Sequence, residues 1–250
     1  MERLDAARID LAGVQVRVVE QCRSTNSVLL AEPGEGVVLL AAEAQSAGRG
    51  RRGRRWHSAP GADLTFSLAV TSGRPARELP ALALLAGVAA TRALRCAGVT
   101  KAALKWPNDL VVDGAKLGGI LVETRSAGKR TRAVIGLGLN CRRAPGLESR
   151  LRRRIASLDA FIVPDRNRLA REIALATLDA LQRFELRGFD IGEWEAFDAH
   201  AGQRLRVRLA DGRTLSGIAS GLGADGALRL RNRRGLHAVR SGRVVAARPA

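Results

Sequence analysis

Cysteine is scarce in this chain of 250 residues. Cys22, Cys96 and Cys141 are its three, far apart and without a CxxC pair or Cys/His metal spacing. A disulfide framework and a zinc site are thereby excluded, and three reduced core thiols are expected. No apolar stretch reaches the roughly 18–20 residues that cross a bilayer. The longest, from Leu79 to Thr91, stops at Arg92 and contains Pro80 and Gly87, so it reads as a core helix. The start, Met1-Glu2-Arg3-Leu4-Asp5, mixes charges and leads into no apolar segment. That pattern leaves no place for a secretory signal, so the expectation is cytoplasmic residence with no membrane partner. Lysine is also rare: Lys101, Lys105, Lys116 and Lys129 stand among 42 basic residues. The net charge of +18 is therefore an arginine charge. It is the footprint of a protein that meets phosphate, and equally the product of a genome that favours arginine codons, so local arrangement has to decide.

What the chain has in quantity points to a globular protein: 46% of residues are hydrophobic, 26% are charged, and mean hydropathy is −0.05. At roughly 100–200 residues per domain, the length allows one large domain, or a larger one with a small companion. Alternation at Val14, Val16 and Val18, the apolar run 37–42, and Leu64, Phe66, Leu68 and Val70 predict strands. A helix is predicted over 77–95, with Pro80 near its first turn. Another is predicted over 165–187, where Leu169, Ile173, Thr177, Leu181 and Phe184 share a face and Gly188 closes the end. After about Ala199 the pattern changes to short alternating segments separated by Asp211-Gly212 and Asp225-Gly226, the residue pairs of hairpin turns. Residues 200–250 thus read as a small β-barrel and 1–199 as the main domain.

The one biased segment is Gly48-Arg49-Gly50-Arg51-Arg52-Gly53-Arg54-Arg55-Trp56, set between a predicted strand and a polar turn at Ser58-Ala59-Pro60-Gly61. Glycine lets backbone approach a ligand closely and arginine pairs bidentately with phosphate or carboxylate, so the segment suits an anion. Its formal GxGxxG match is accidental, because no helical pattern follows and no acidic residue stands about 20 positions on. A GxxxxGK[ST] phosphate loop is absent. Downstream, Asp113-Gly114 reads as a two-residue turn, which pairs Val112 with Ala115, Val111 with Lys116 and Asp109 with Gly118. Asp109 and Lys116 then share a face, about 7–8 Å apart along the diagonal. Gly118-Gly119 and Gly136-Leu137-Gly138 strip side chains from strands, as a ligand lying against backbone requires.

In order and spacing, Ser24-Thr25-Asn26, the run Gln45 to Trp56, Lys105-Trp106-Pro107-Asn108-Asp109, Lys116 to Glu123 and Gly136 to Asn140 resemble the biotin protein ligase family. The resemblance spans essentially the whole chain. It implies an α+β fold: a mixed sheet flanked by helices, like class II aminoacyl-tRNA synthetases, followed by an SH3-like barrel. It also implies a two-step reaction, in which biotin and MgATP give biotinyl-AMP and a lysine of a biotin carboxyl carrier protein then takes the biotin. Carried onto this sequence, Lys116 and Arg51 are the catalytic residues. Ser24, Thr25, Asn26, Gln45, Arg49, Gly50, Arg51, Lys116, Gly118 and Gly119 surround biotin, while Arg51, Arg54, Trp56, Asn108, Asp109 and Asn140 face ATP. Asp109 is the candidate contact for Mg²⁺. The Gly/Arg segment would act as a lid that keeps water from the activated acyl phosphate.

About 20 residues precede Ser24-Thr25-Asn26, where some family members carry an N-terminal winged helix. Sequence-specific DNA binding is therefore not expected, and the protein is expected to be a monomer or homodimer. Two other classes compete: a lipoate ligase, which shares the fold but lacks the Gly/Arg loop, and a nucleic-acid-binding module. His57, His200 and His237 are scattered, so solvated or structural roles are expected for them and no general base is evident. Arg204, Arg206 and Arg208, with Arg229 and Arg231, make a basic face in the barrel, read first as plain solvation.

Overall fold

The computed structural model describes residues 2–57, 60–127, 130–151 and 153–249, so the Ser58-Ala59 half of the expected turn lies outside the described residues. Strands β1 (Gln15–Cys22), β2 (Val38–Gln45), β3 (Asp63–Ser72), β4 (Ala102–Lys105), β5 (Asp109–Val112), β6 (Ala115–Ala127) and β7 (Arg130–Asn140) form one sheet, in the spatial order β1-β2-β3-β7-β6-β5-β4. β1 and β2 run parallel and the remaining neighbours antiparallel.

The alternation in β3 decides what each face of this sheet does. Leu64, Phe66 and Leu68 lie opposite Leu139, Leu137 and Ile135 of β7, and all six are buried on the face covered by helices. Withdrawing each such side chain from water is worth about 1.5–3 kcal/mol. The intervening residues, Thr65 and Ser67 opposite Gly138 and Gly136, make a face of small and polar groups.

Helices α1 (Ala6–Ile9), α2 (Thr25–Ala31), α3 (Leu82–Cys96), α4 (Leu147–Leu151), α5 (Arg166–Arg187) and α6 (Ile191–Glu195) complete the main unit. The apolar stretch from Leu79 runs on to Cys96, long and apolar enough by length and composition alone to cross a bilayer, contrary to the expectation. It is mostly buried inside the protein as a core segment, and α3 starts later than expected. Pro80 sits in a short 3₁₀ turn, Leu79–Ala81, which leads into the helix. α5 matches its sequence signals: the Asp165 side chain accepts from Arg168 N, and Gly188 follows the end at φ 79°. On the polar face, α2 packs Leu29 against Val38, Leu40, Ala69 and Val134, which covers one end of that face and leaves the other open.

The second sheet contains β8 (Arg204–Leu209), β9 (Thr214–Leu222), β10 (Leu228–Asn232), β11 (Gly235–Val239) and β12 (Gly242–Arg248), antiparallel in the order β11-β10-β9-β8-β12. Gly212 and Gly226, at φ 85° and 73°, make the two turns that the Asp-Gly pairs predict. Leu205, Val207, Leu228 and Val244 belong to the same buried apolar cluster as Leu84 and Trp106, so the core runs unbroken from the large sheet into the small one.

One expectation about the thiols is corrected. Cys141 is buried, and burial pushes it up to about 12, but Cys22 is only partly buried and Cys96, at the last position of α3, is exposed. The helix ends there, on the side turned from the core.

Candidate active site

The open end of the polar face is a cavity of about 300 Å³. Its floor is β7 and β6. A Cβ at Gly136 would lie 2.1 Å from Asn26 Oδ1, and one at Gly138 would lie 2.5 Å from the Trp56 ring, so glycine is needed at both positions for these side chains to rest on the strand.

Asp113 and Gly114 both have positive φ, 47° and 75°, the geometry of the tight hairpin turn that returns β5 to β6. Val112 pairs with Ala115 and Val111 with Lys116 as the turn requires. A bulge then shifts the register, so Asp109 lies opposite Gly119 rather than Gly118, and Leu110 takes Gly118. Gly118 consequently turns away from the cavity: its Cβ would meet Gly138 O at 2.6 Å and Leu139 Cδ2 at 2.6 Å. The close crossing of strands requires it, whereas Gly119 lines the cavity. The bulge still leaves Asp109 and Lys116 on one face, joined as an ion pair with Lys116 15% and Asp109 25% exposed.

At one end of the cavity Ser24, Thr25, Asn26 and Gln45 supply polar, uncharged groups. Thr25 N donates to Gln45 Oε1 at 2.8 Å, Ser67 Oγ lies 2.6 Å from both Thr25 Oγ1 and Asn26 Oδ1, and Asn26 Nδ2 donates to Leu121 O and Glu123 Oε2. Ser24 is buried beside them at the N-terminus of α2. Arg49 closes this end over the top, pairing with Glu123 at 2.7 Å and donating to Ser27 Oγ.

At the other end cations converge. Burial pushes the Lys116 ammonium below the usual lysine range, with Arg153 and Arg54 adding to the effect and Asp109 opposing it. Lys105, which lies opposite Asp109 in the sheet, is lowered in the same way by burial, with Asp109 opposing and Arg243, Lys116 and Arg153 adding to it. Burial likewise depresses Arg51, Arg153 and Arg243. Asp109 is the one carboxylate lining this cavity among the described residues. Such an arrangement is stable when an anion is present and is repulsive otherwise.

The Gly/Arg segment is a short hairpin over the cavity. Gly50 N donates to Arg54 O at 2.7 Å and Trp56 N to Gly48 O at 2.9 Å. At the tip, Arg52 and Gly53 take positive φ, 57° and 71°. Arg51 reaches Asn108 Oδ1 at 3.4 Å, Trp56 lies over Gly138 with its ring centroid 5.9 Å from Lys116 Nζ, and Arg52 donates to Ser241 Oγ of the barrel at 2.9 Å. Gly50 and Arg54 also line the cavity.

Asn140 stands behind this cavity and not in its lining. Its Nδ2 donates to the backbone carbonyls of Lys116 and Ala156, so it fixes the strand that carries the lysine. None of the three histidines lines the cavity. Burial lowers His200 to about 4, with Lys105 adding to the effect, and His237 hydrogen-bonds Asn232. Sequence reasoning assigned no role to Ser67, Lys105, Glu123, Arg153 or Arg243. The first is one of several hydroxyls in its strand and lies in no motif, and the last two also lie outside every motif. Trp56 Nε1 and Arg153 Nε, at the cavity, are buried donors without a hydrogen-bond partner.

Residues 14–140 match the biotin/lipoate A/B protein ligase family. The chain is 36% identical over 239 residues to the bifunctional ligase/repressor BirA of Escherichia coli, an alignment covering 92% of this chain and 74% of that protein. It is 35% identical over 225 residues to a biotin–[acetyl-CoA-carboxylase] ligase of Mycobacterium tuberculosis, covering 86% and 82%. Its fold is that of the biotin protein ligase of Aquifex aeolicus solved with biotin and ATP, with a TM-score of 0.78 at 24% identity over 94% of this chain and 99% of the other. On these matches, and with the glycine floor and the lysine-bearing hairpin in place, the chain belongs to the biotin/lipoate A/B protein ligase family.

Proposed function

We infer that this protein is an ATP-dependent biotin protein ligase, and that the cavity hosts both the formation of biotinyl-AMP and its discharge onto a lysine of a biotin carboxyl carrier domain. The observation that carries the reading is the division of one cavity into a neutral hydrogen-bonding end and a cationic end, with Lys116 where they meet. Biotin offers a neutral ureido head and a carboxylate tail, which match these two ends. Thr25, Asn26 and Gln45, ordered by Ser67, suit the head. Lys116 suits the carboxylate and the α-phosphate that it attacks.

Two anions must come together in the first step, so fixed positive charge is required and becomes more effective as the transition state forms. Lys105, Lys116, Arg153 and Arg243 supply it from the body of the protein, and Arg51 and Arg54 add to it from the hairpin. The orphaned donors of Trp56 and Arg153 are consistent with a polar ligand at this end. Mg²⁺ fits as a passenger of the triphosphate: no group of three His, Cys, Asp or Glu side chains forms a metal site among the described residues, and Asp109 is the carboxylate available to it. When bound, the ion neutralises phosphate charge. The Gly/Arg hairpin, closed by the Arg51 and Arg52 contacts, would keep water from the mixed anhydride. In the second step the carrier amine attacks the acyl carbon and AMP leaves.

The test is to mix the protein with labelled biotin, ATP, Mg²⁺ and a biotin carboxyl carrier domain, with a parallel mixture containing lipoate. ATP-dependent labelling with biotin and not lipoate is expected. Labelling by lipoate alone would overturn the assignment within the family.

A further inference from the structure

A second cavity, of about 280 Å³, lies beside the first and shares Arg51, Trp106, Pro107 and Ile120 with it. Its walls are the 3₁₀ turn with Leu79 and Pro80, the start of α3 with Ala83 and Leu84, the Val122 side of β6, and the Asp225-Gly226 turn of the barrel. That turn is set tightly in place. Trp106 Nε1 donates to Gly226 O at 3.1 Å, and a Cβ at Gly226, whose φ is +73°, would lie 2.8 Å from Leu84 Cδ1. The barrel thus supplies a fixed wall to a space that opens onto the reaction site.

We propose that this second cavity is the sleeve through which the acceptor lysine of the carrier domain reaches the activated acyl group. The proposal rests on the ligase reading and adds the route of the second substrate. The hairpin covers part of the first cavity, through Arg51 on Asn108, Arg52 on Ser241 and Trp56 on Gly138, and an approach from the second cavity would leave these contacts in place. The second cavity meets the first at Arg51. Leu79, Pro80, Ala83 and Val122 suit the methylene stem of a lysine, and the Asp225 carboxylate, paired with Arg240 at 2.7 Å, marks the outer rim.

The sleeve also answers the missing general base, since no histidine lines either cavity. An ammonium is disfavoured among apolar walls, and more so as it nears the cations at the inner end. The lysine therefore leaves one proton in solvent as it enters. Its nitrogen lone pair then forms a bond to the acyl carbon. The bond from that carbon to the phosphate oxygen breaks, AMP departs with the electron pair, and the nitrogen passes its second proton to the departing phosphate, and so to solvent, to give the neutral amide.

Ala83→Phe fills the sleeve from the α3 side without touching the first cavity. Three rates are measured: biotin-dependent pyrophosphate release, single-turnover transfer to a carrier domain, and discharge of enzyme-bound biotinyl-AMP by hydroxylamine. Pyrophosphate release and hydroxylamine discharge should match wild type, while transfer to the carrier falls about 100-fold, the scale of a misplaced reacting group. Ala83→Ser should transfer normally. If Ala83→Phe fails to fold, Val122→Phe on the opposite wall replaces it and carries the same expectations. Carrier transfer at the wild-type rate, or an equal loss of hydroxylamine discharge, overturns the sleeve and leaves the ligase reading standing. A wild-type protein that forms no biotinyl-AMP overturns both.

Discussion

Gly138→Ala isolates the fit between the floor of the site and its lid. A Cβ there would lie 2.5 and 2.6 Å from the Cε2 and Cζ2 atoms of Trp56, against about 3.5–4.0 Å for an optimal carbon contact. The indole must withdraw by roughly 1 Å. It is planar and buried at this edge, and it cannot evade by a small torsion as a long aliphatic chain would. β7 cannot yield either, because it is paired on both sides, to β3 and β6. Overpacking of this size costs about 1–3 kcal/mol. Because Trp56 belongs to the hairpin and not to the sheet, the cost should fall on the closed lid and not on the global fold. A bias of 1–3 kcal/mol corresponds to about a 5- to 150-fold loss in retention of the intermediate. The assay is stopped-flow release of biotinyl-AMP from the enzyme, with thermal unfolding as a control. In a Trp56→Ala background the clash has no partner, so Gly138→Ala should then be nearly silent, and the double-mutant cycle measures the coupling. Release at the wild-type rate from the single variant, or an undiminished effect without Trp56, would refute the assignment of Trp56 to the lid.

Three further outcomes are expected. Lys116→Ala should stop biotin-dependent pyrophosphate release, because it removes the cation between the two anions and leaves the Asp109 carboxylate facing the incoming phosphates; unaltered release would remove Lys116 from the chemistry. Arg51→Ala cuts the hairpin's contact with Asn108 and should speed escape of biotinyl-AMP, which a trap experiment with unlabelled biotin and ATP would measure. The buried pair of Glu43 and Arg166, 2.6 Å apart, ties β2 and α5 to the N-terminal segment through Leu4 N and the carbonyl of Glu2. Burial raises the Glu43 carboxyl, but the hydrogen bonds from Arg166 and Leu4 outweigh it and hold the group below its ordinary value. Stability from this pair is therefore complete above the unfolded carboxyl pKa and is lost as pH falls through the folded one. Glu43→Gln should cost about 3–5 kcal/mol in urea unfolding at pH 7, and the penalty should shrink toward pH 3; a penalty independent of pH would rule out the ion pair as its source.

The fold was legible where one local rule governs an element. β3 announced itself by alternation, α5 by Asp165 and Gly188, and the barrel turns by Asp-Gly, because in each case residues adjacent in sequence settle the geometry. The register of Asp109 was not legible. A two-residue turn fixes the pairs next to it, but a bulge between Leu110 and Val111 shifts the register beyond them. That single inserted residue turned Gly118 from a wall of the cavity into a point where β6 and β7 crowd together, although it stands beside Gly119 in the same motif.

The site divides in the same way. Thr25, Gln45, Arg51, Asn108 and Lys116 lie in the short motifs that carry the family resemblance, and it was that resemblance that implied their convergence. Lys105 meets Asp109 across the neighbouring strands β4 and β5 of its own motif, whereas Arg153 and Arg243 come from the segment after α4 and the start of β12, and only tertiary packing brings those two to the same carboxylate. The overall charge of +18 could not have identified them, because arginines on the open face of the barrel and arginines against Asp109 count alike in a sum. Burial separates the two groups. An exposed guanidinium is hydrated and screened, at little cost or benefit, whereas several cations sharing a partly buried cavity repel one another until an anion arrives. The hairpin carries two of those charges, Arg51 and Arg54, so bringing it down over an empty cavity costs energy that a bound phosphate returns. As the proposed lid, the hairpin would in this way couple its closure to the charge of the substrate, and the glycines on either side of Arg51 and Arg52 would let the backbone move.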